Sequence, residues 1–189
     1  AFSGLHGDHH AMWINPKNSD HIINGNDGGI NISYDQGATW KNLENLPVVQ
    51  FYNVEVDNAE PFRVYGSIQD NNSWRGPSNY RPGRSTRTGW ERIPGGEAST
   101  MAIDPKDEDT FYSEGFYGSI QRTNLKENKT KSIKPKAEAG EPELRGQWLA
   151  PFILSPHNSS IVYHGMQYVF RSLDQGQTWE RISDDLTFN

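Results

Sequence analysis

Two eight-residue segments share the pattern S-x-D-x-G-x-T-W: Ser33, Asp35, Gly37, Thr39 and Trp40 in one, and Ser172, Asp174, Gly176, Thr178 and Trp179 in the other. Each lies between strand-like runs. An Asp followed two residues later by Gly makes a tight hairpin, because the carboxylate accepts hydrogen bonds from nearby backbone N–H groups and Gly takes a φ > 0 that other residues avoid. The Ser and Thr hydroxyls tie the turn, and the closing Trp opens the next strand against the apolar layer beneath it. The octapeptide therefore reads as structural, its residues consumed by the turn, and catalysis is not placed on Asp35 or Asp174.

A longer period surrounds these turns. An apolar-x-Pro or apolar-x-Asn signpost recurs at Ile14-Asn15-Pro16, Val56-Asp57-Asn58, Ile103-Asp104-Pro105 and Leu154-Ser155-Pro156, a spacing of about forty to fifty residues of the kind that marks repeat architectures. Each signpost is followed by a polar turn, an apolar strand and a Gly, as in Val64-Tyr65-Gly66 and Ile161-Val162-Tyr163-His164-Gly165. Three units end on a Trp at matching depth, Trp40, Trp90 and Trp179, and the third unit lacks both octapeptide and Trp.

Each unit has room for four short strands joined by hairpin turns, and helical periodicity is absent. That is the make-up of a β-propeller blade. The expected fold is all-β, with four blades of four antiparallel strands over 6–47, 48–95, 96–146 and 147–187. In the first blade the strands are expected at 9–14, 20–24, 29–34 and 39–43. The chain begins Ala1-Phe2-Ser3-Gly4, without an initiator Met or leader-like segment, and is expected to be part of a larger propeller of six or more blades.

Composition narrows the function. The formal net charge of -6 argues against nucleic acid as a partner of the whole surface, since phosphate binding needs a basic face. With no Cys in the chain, disulfides, thiolate metal sites and a Cys nucleophile are excluded. No apolar run has the length of a membrane-spanning helix. One basic stretch, from Asn71 to Gly89, carries Arg75, Arg81, Arg84 and Arg87 among Trp74 and Tyr80; it has the groups to meet an anion or a sugar face, but the preferred reading is a solvated basic loop. The stretch from Asn124 to Gly146 is expected to be an irregular connection.

In a propeller, the loops leading into the innermost strands and those joining second to third strands emerge on one face around the central channel. Here they bring His6, Asp8, His9 and His10, Asp27, Asp70, Glu97, Glu114 and Trp148 to that face. Asp8, Asp27 and Glu97 are the candidate catalytic carboxylates, since a pair at suitable separation serves as acid and base on a glycosidic bond. His6, His9, His10, Asp70, Arg75, Glu114 and Trp148 are candidate ligand-binding residues, with Phe116, Tyr117 and Trp74 also suited to stacking on sugar rings. His6, Asp8 and His10 have the donor types of a metal site, but their spacing matches no established zinc pattern, and no cofactor is expected.

The string from His6-Gly7-Asp8-His9-His10 through Asn26-Asp27-Gly28-Gly29 to the octapeptide at Ser33 resembles the repeat of the Asp-box, or BNR-repeat, β-propeller family, in particular bacterial secreted proteins labelled glycosyl hydrolase or sortilin-like. The octapeptide itself resembles the Asp-box. The resemblance covers essentially the whole chain and implies an extracellular or periplasmic location. The wider family includes sialidases, xyloglucan-degrading endoglucanases, sortilin-type receptors and photosystem assembly factors, so it transfers the fold more securely than the reaction. The three Arg residues a sialidase needs cannot be placed, and Glu91-Arg92-Ile93-Pro94 falls in a fourth strand. An endoglucanase needs two Asp residues on facing blades, for which Asp8, Asp27 and Asp70 are the candidates. Two readings stand: a glycoside hydrolase acting on polysaccharide, and a non-catalytic propeller binding a polysaccharide or peptide ligand, either of them with further blades of the same parent protein as partners.

Overall fold

A computed structural model describes residues 4–44, 46, 49–79, 89–97 and 100–187. Among these residues there is no helix, and so none long and apolar enough to cross a membrane. Sixteen strands form four four-stranded antiparallel sheets, each a meander of consecutive strands, the blade type of a β-propeller. The chain divides into two compact units, residues 1–50 and 51–189.

The first unit holds one sheet, β1 (His9–Ile14), β2 (Ile22–Asn26), β3 (Gly29–Ser33) and β4 (Lys41–Asn42). The first and third strands fall where the sequence places them, apart from Tyr34, which lies just outside β3. The second is shifted towards the Gly28-Gly29 turn. The fourth is shorter because Thr39 and Trp40 belong to the turn: Thr39 donates N–H and hydroxyl hydrogen bonds to Asp35, at 2.8 and 2.5 Å, and Trp40 Nε1 donates to the Gly37 carbonyl at 3.0 Å.

The second unit holds three sheets. They are β5 (Val54–Val56), β6 (Arg63–Ser67), β7 (Ser73–Pro77) and β8 (Glu91–Ile93); β9 (Met101–Ile103), β10 (Thr110–Glu114), β11 (Ile120–Asn124) and β12 (Lys129–Ser132); and β13 (Phe152–Leu154), β14 (Val162–Gly165), β15 (Val169–Ser172) and β16 (Glu180–Arg181). The stretch from Asn124 is more regular than the sequence suggests. Asn124 ends β11, a tight turn follows in which the Asn128 N–H donates to the Leu125 carbonyl, and Lys129–Ser132 pair with β11 as a fourth strand. A plain turn thus replaces the octapeptide in this sheet.

Consecutive sheets of this unit bury apolar side chains between them. Tyr65, Ile93, Met101 and Phe111 form one cluster, and Tyr112, Ile120, Ile133, Phe152 and Val162 another. Tyr65 meets Phe111 at 6.3 Å between ring centroids and Tyr112 meets Phe152 at 6.5 Å. The same register position thus carries Tyr in one sheet and receives Phe from the next.

Both octapeptides close on themselves in the same way. Ser33 Oγ donates to Asp35 Oδ1 at 2.7 Å and accepts from Gly37 N at 2.8 Å; Ser172 does the same with Asp174 and Gly176, at 2.8 and 2.7 Å. Gly176, at φ 82°, is required by conformation and by space, since a Cβ there would stand 2.5 Å from Ile133 Cδ1. Hydrogen bonds from Thr39 and Ser33 hold the Asp35 carboxyl down at about 2, and those from Thr178 and Ser172 do the same for Asp174. A carboxylate depressed in the folded state stabilises above its unfolded value, near 4, and that contribution is lost as pH falls through about 2. Carboxyl-detected NMR titration is therefore expected to find both groups with midpoints near 2; midpoints at the ordinary Asp value would show that the turns do not hold these bonds in solution.

Candidate functional site

In the first sheet the loop leading into β1 lies beside the β2–β3 turn. Asp27 N donates to the Asp8 carbonyl at 3.2 Å, and the His10 Nε2 and Asp27 Oδ1 atoms stand 2.5 Å apart. His6 Nδ1 is 3.7 Å from Asp8 Oδ2 and accepts from Asp8 N at 3.3 Å. His9 Nδ1 faces Asn24 Oδ1 at 3.0 Å. The register of β1 on β2 shifts between His9 and Ala11, and His9 and His10 take different partners. Two carboxylates and two imidazoles, those of His6, Asp8, His10 and Asp27, share this corner, with Asp27 committed to His10.

In the second unit, Asp70 and Glu97 are brought together: Asp70, at φ 61°, donates its backbone N–H to Glu97 Oε2 at 3.2 Å. This joins the β6–β7 loop to the turn after β8. Arg75 does not sit on a loop. It lies in β7 opposite Tyr65 and is ion-paired to Glu91. Trp74 Nε1 donates to the Asn71 carbonyl at 2.7 Å. Glu114 ends β10 fully buried, away from any ligand in solvent. Tyr80, Arg81, Arg84 and Arg87 lie outside the described residues.

Trp148 is placed differently from all of these. Its ring stacks on Phe116 at 3.8 Å between centroids and 23°, and meets Tyr117 edge-on at 5.4 Å and 89°. The arrangement is fixed from below. Phe116 bridges Leu149, Tyr117 N donates to the Gln147 carbonyl at 3.1 Å, and Tyr117 is turned by a left-handed backbone, φ 58°. Lys134 Nζ caps the Tyr117 carbonyl at 3.0 Å. Trp148 and Tyr117 nonetheless remain 45% and 57% exposed. Large rings that are rigid yet wet form a shelf for a flat ligand with an apolar face and polar edges.

An open groove of about 480 Å³ runs along the innermost strands β5, β9 and β13 of this unit. Glu55 lines it beside Met101, Ile103, Phe152 and Ile153, and burial pushes its carboxyl above the usual Glu value. Glu55 is not among the site residues expected from the sequence. The signal was present, since it is the one charged residue in Val54-Glu55-Val56, but only strand pairing shows that this segment is an edge facing a groove.

No protein-family model matches the sequence, and no curated protein matches it. Solved structures do. The chain is similar to an ancestral GH74 enzyme with 14% identity and a TM-score of 0.52, covering 96% of this chain and 25% of that one. It is also similar to YCF48 from Cyanidioschyzon merolae, with 14% identity and a TM-score of 0.46 over 95% of this chain and 58% of that one. A third similarity is to the extracellular domain of a hybrid two-component system from Bacteroides thetaiotaomicron, with 12% identity and a TM-score of 0.47 over 95% and 25%. The chain therefore spans about a quarter of the GH74 enzyme. At these identities the likeness establishes the fold, a β-propeller present in part.

Proposed function

We propose that this chain is a segment of an extracellular, glycoside-hydrolase-like propeller of the Asp-box family, with blades over 6–47, 48–95, 96–146 and 147–187, and that it binds polysaccharide on the Trp148 shelf. The observation that carries this reading is the Phe116–Trp148 stack with Tyr117 at its edge, rigid and exposed. A sugar ring laid on Trp148 desolvates its own apolar face and the indole together, while its hydroxyls keep contact with water. In the hydrolase reading Asp8, Asp27 and Glu97 remain the candidate acids and bases, with Asp70 held beside Glu97. The GH74 and extracellular-domain neighbours are in keeping with this class and location.

A non-catalytic reading is favoured by one observation: Asp27, a candidate catalytic carboxylate, is already held by His10, while Glu114, a candidate binding residue, is enclosed. In that reading the same face binds a glycan or peptide without turnover.

Affinity electrophoresis and calorimetry against soluble polysaccharides, xyloglucan and mixed-linkage β-glucan among them, test the shelf. Losing the apolar contact of one large ring, about 1.5–3 kcal/mol, should weaken binding roughly ten- to hundredfold in Trp148→Ala. Equal binding by wild type and variant, or no binding of any polysaccharide by either, sinks the proposal. Release of reducing ends that disappears in Glu97→Gln or Asp27→Asn supports the hydrolase; binding without release supports the non-catalytic reading.

A further inference from the structure

The Trp148 shelf is carried by two pieces of backbone, and one imidazole lies between them. Phe116 and Tyr117 sit on the turn from β10 to β11, whereas Trp148 sits on the segment that leads into β13. His164, in β14, is fully buried; its Nε2 stands 3.1 Å from the Gly118 carbonyl oxygen and its Nδ1 3.2 Å from the Pro151 carbonyl oxygen. Gly118 follows Tyr117 directly, and Pro151 stands three residues after Trp148. The ring therefore bridges the two pieces from inside the protein.

The joint has little slack. Gly118 takes φ 73°, and a Cβ there would stand 2.5 Å from Met166 Cε; a Cβ on Gly146 would stand 2.5 Å from Gly118 N and from the Tyr117 carbonyl carbon. The Pro151 carbonyl also accepts from Gly165 N at 2.8 Å, which pins β14 to the same place. Moving either piece of backbone breaks a contact of the bridging ring, so the ring sets where Tyr117 and Trp148 meet.

A neutral imidazole has one N–H, so it donates to one carbonyl and faces the lone pairs of the other, whereas an imidazolium would donate to both. Enclosure decides against the charge. Burial pushes His164 below the ordinary His value, and the two carbonyls, which favour the proton, do not offset it. Lys134, whose ammonium caps the Tyr117 carbonyl, adds to the depression. Glu114, two residues beyond Tyr112 in β10 and so on the same side of that strand, is the acid that shares the seam. Arg145 is paired with Asp185, and Trp179, Phe152 and Phe170, the rings beside His164, carry no charge. A base whose pKa is lowered by enclosure takes up a proton more readily when opened to water. Acid therefore favours the loosened seam: the joint is whole above about pH 6.5 and weakens as pH falls from there towards the enclosed value.

We infer that His164 is a positioning residue of the shelf, holding Phe116 and Tyr117 against Trp148 through the Gly118 and Pro151 carbonyls, and that a proton on its ring loosens the shelf and its grip on a sugar. The grip on a sugar rests on the polysaccharide reading; the positioning does not.

NMR of the wild-type chain tests the joint without a ligand. The His164 ring is expected to titrate below about 6.5, and the Trp148 indole N–H, assigned as the signal lost in Trp148→Phe, should shift with the same midpoint. His164→Gln keeps an amide donor and cannot titrate, so its indole signal should stay near the wild-type position and stop responding in that range. His164→Phe, with no donor, should move the signal towards that of an unstacked indole. A wild-type indole signal that ignores the His164 titration overturns the inference, whichever variants fold. In calorimetry with the same soluble polysaccharides, His164→Phe should bind about tenfold more weakly than wild type and His164→Gln. Equal affinity of all three overturns the inference even where the indole responds. If the wild type binds no polysaccharide, the polysaccharide reading falls and the indole signal alone decides the joint.

Discussion

Replacing Phe152 by Ala is expected to lower the stability of the protein by about 3–5 kcal/mol, read as a shift of the urea midpoint at constant slope. Phe152 is 4% exposed and sits in the cluster of Tyr112, Ile120, Ile133 and Val162 that joins the third and fourth sheets. Truncation removes the ring that faces Tyr112 and leaves a cavity walled by rigid strands, which cannot collapse to fill it. The neighbouring Ile153, on the same strand but 60% exposed, should cost well under 1 kcal/mol as Ala. Equal losses for the two variants would show that the seam between these sheets does not carry the stability of the unit.

The second large effect is expected at Asp57. Its carboxylate is enclosed, accepts from Arg63 Nε at 2.5 Å, Arg63 N at 2.8 Å, Ala59 N at 3.2 Å and Tyr65 Oη at 3.0 Å, and so anchors the turn that leads from β5 to β6. Burial pushes its carboxyl up, but the bonds from Arg63 and Tyr65 prevail and hold it below the ordinary Asp value. Asp57→Ala strips four donors of their acceptor, one of them the buried Tyr65 hydroxyl. The cost is expected at about 3 kcal/mol, the lower end for breaking a buried pair, because Arg63 keeps its 3.1 Å contact with Glu108. Glu108→Ala, at the exposed end of the same Arg, should cost under about 1 kcal/mol. If chemical denaturation finds the two variants alike, the enclosed carboxylate is not the anchor.

The turns and the strand pattern were legible because their causes are local. Ser33, Asp35 and Gly37 satisfy one another within five residues, so the pattern states its own geometry, and apolar alternation marks the strands that flank it. The fourth strand at Lys129–Ser132 was not legible, since its residues are all exposed and only pairing with β11 makes them a strand. Candidate site residues on loops were placed by the order of strands, and the structure brings Asp8 beside Asp27 and Asp70 beside Glu97. It also withdraws Glu114 into the interior and turns Arg75 to Glu91. The repeated pairing of Tyr65, Tyr112 and Tyr163 with Arg75, Arg122 and Arg171 is visible as residues but acquires meaning only from register. Two octapeptides of one pattern likewise hide a difference: Trp40 bonds its own turn, whereas Trp179 reaches Ile133 of the preceding sheet.

The octapeptide turn of the fourth sheet settles its Asp, Ser and Thr side chains inside itself and meets the preceding sheet through Gln175, Gly176 and Trp179. A segment built this way is a cassette: its fold is satisfied internally, and its junction with the preceding sheet is made to Arg122 and Ile133. Positions outside those contacts are free to vary without disturbing the junction.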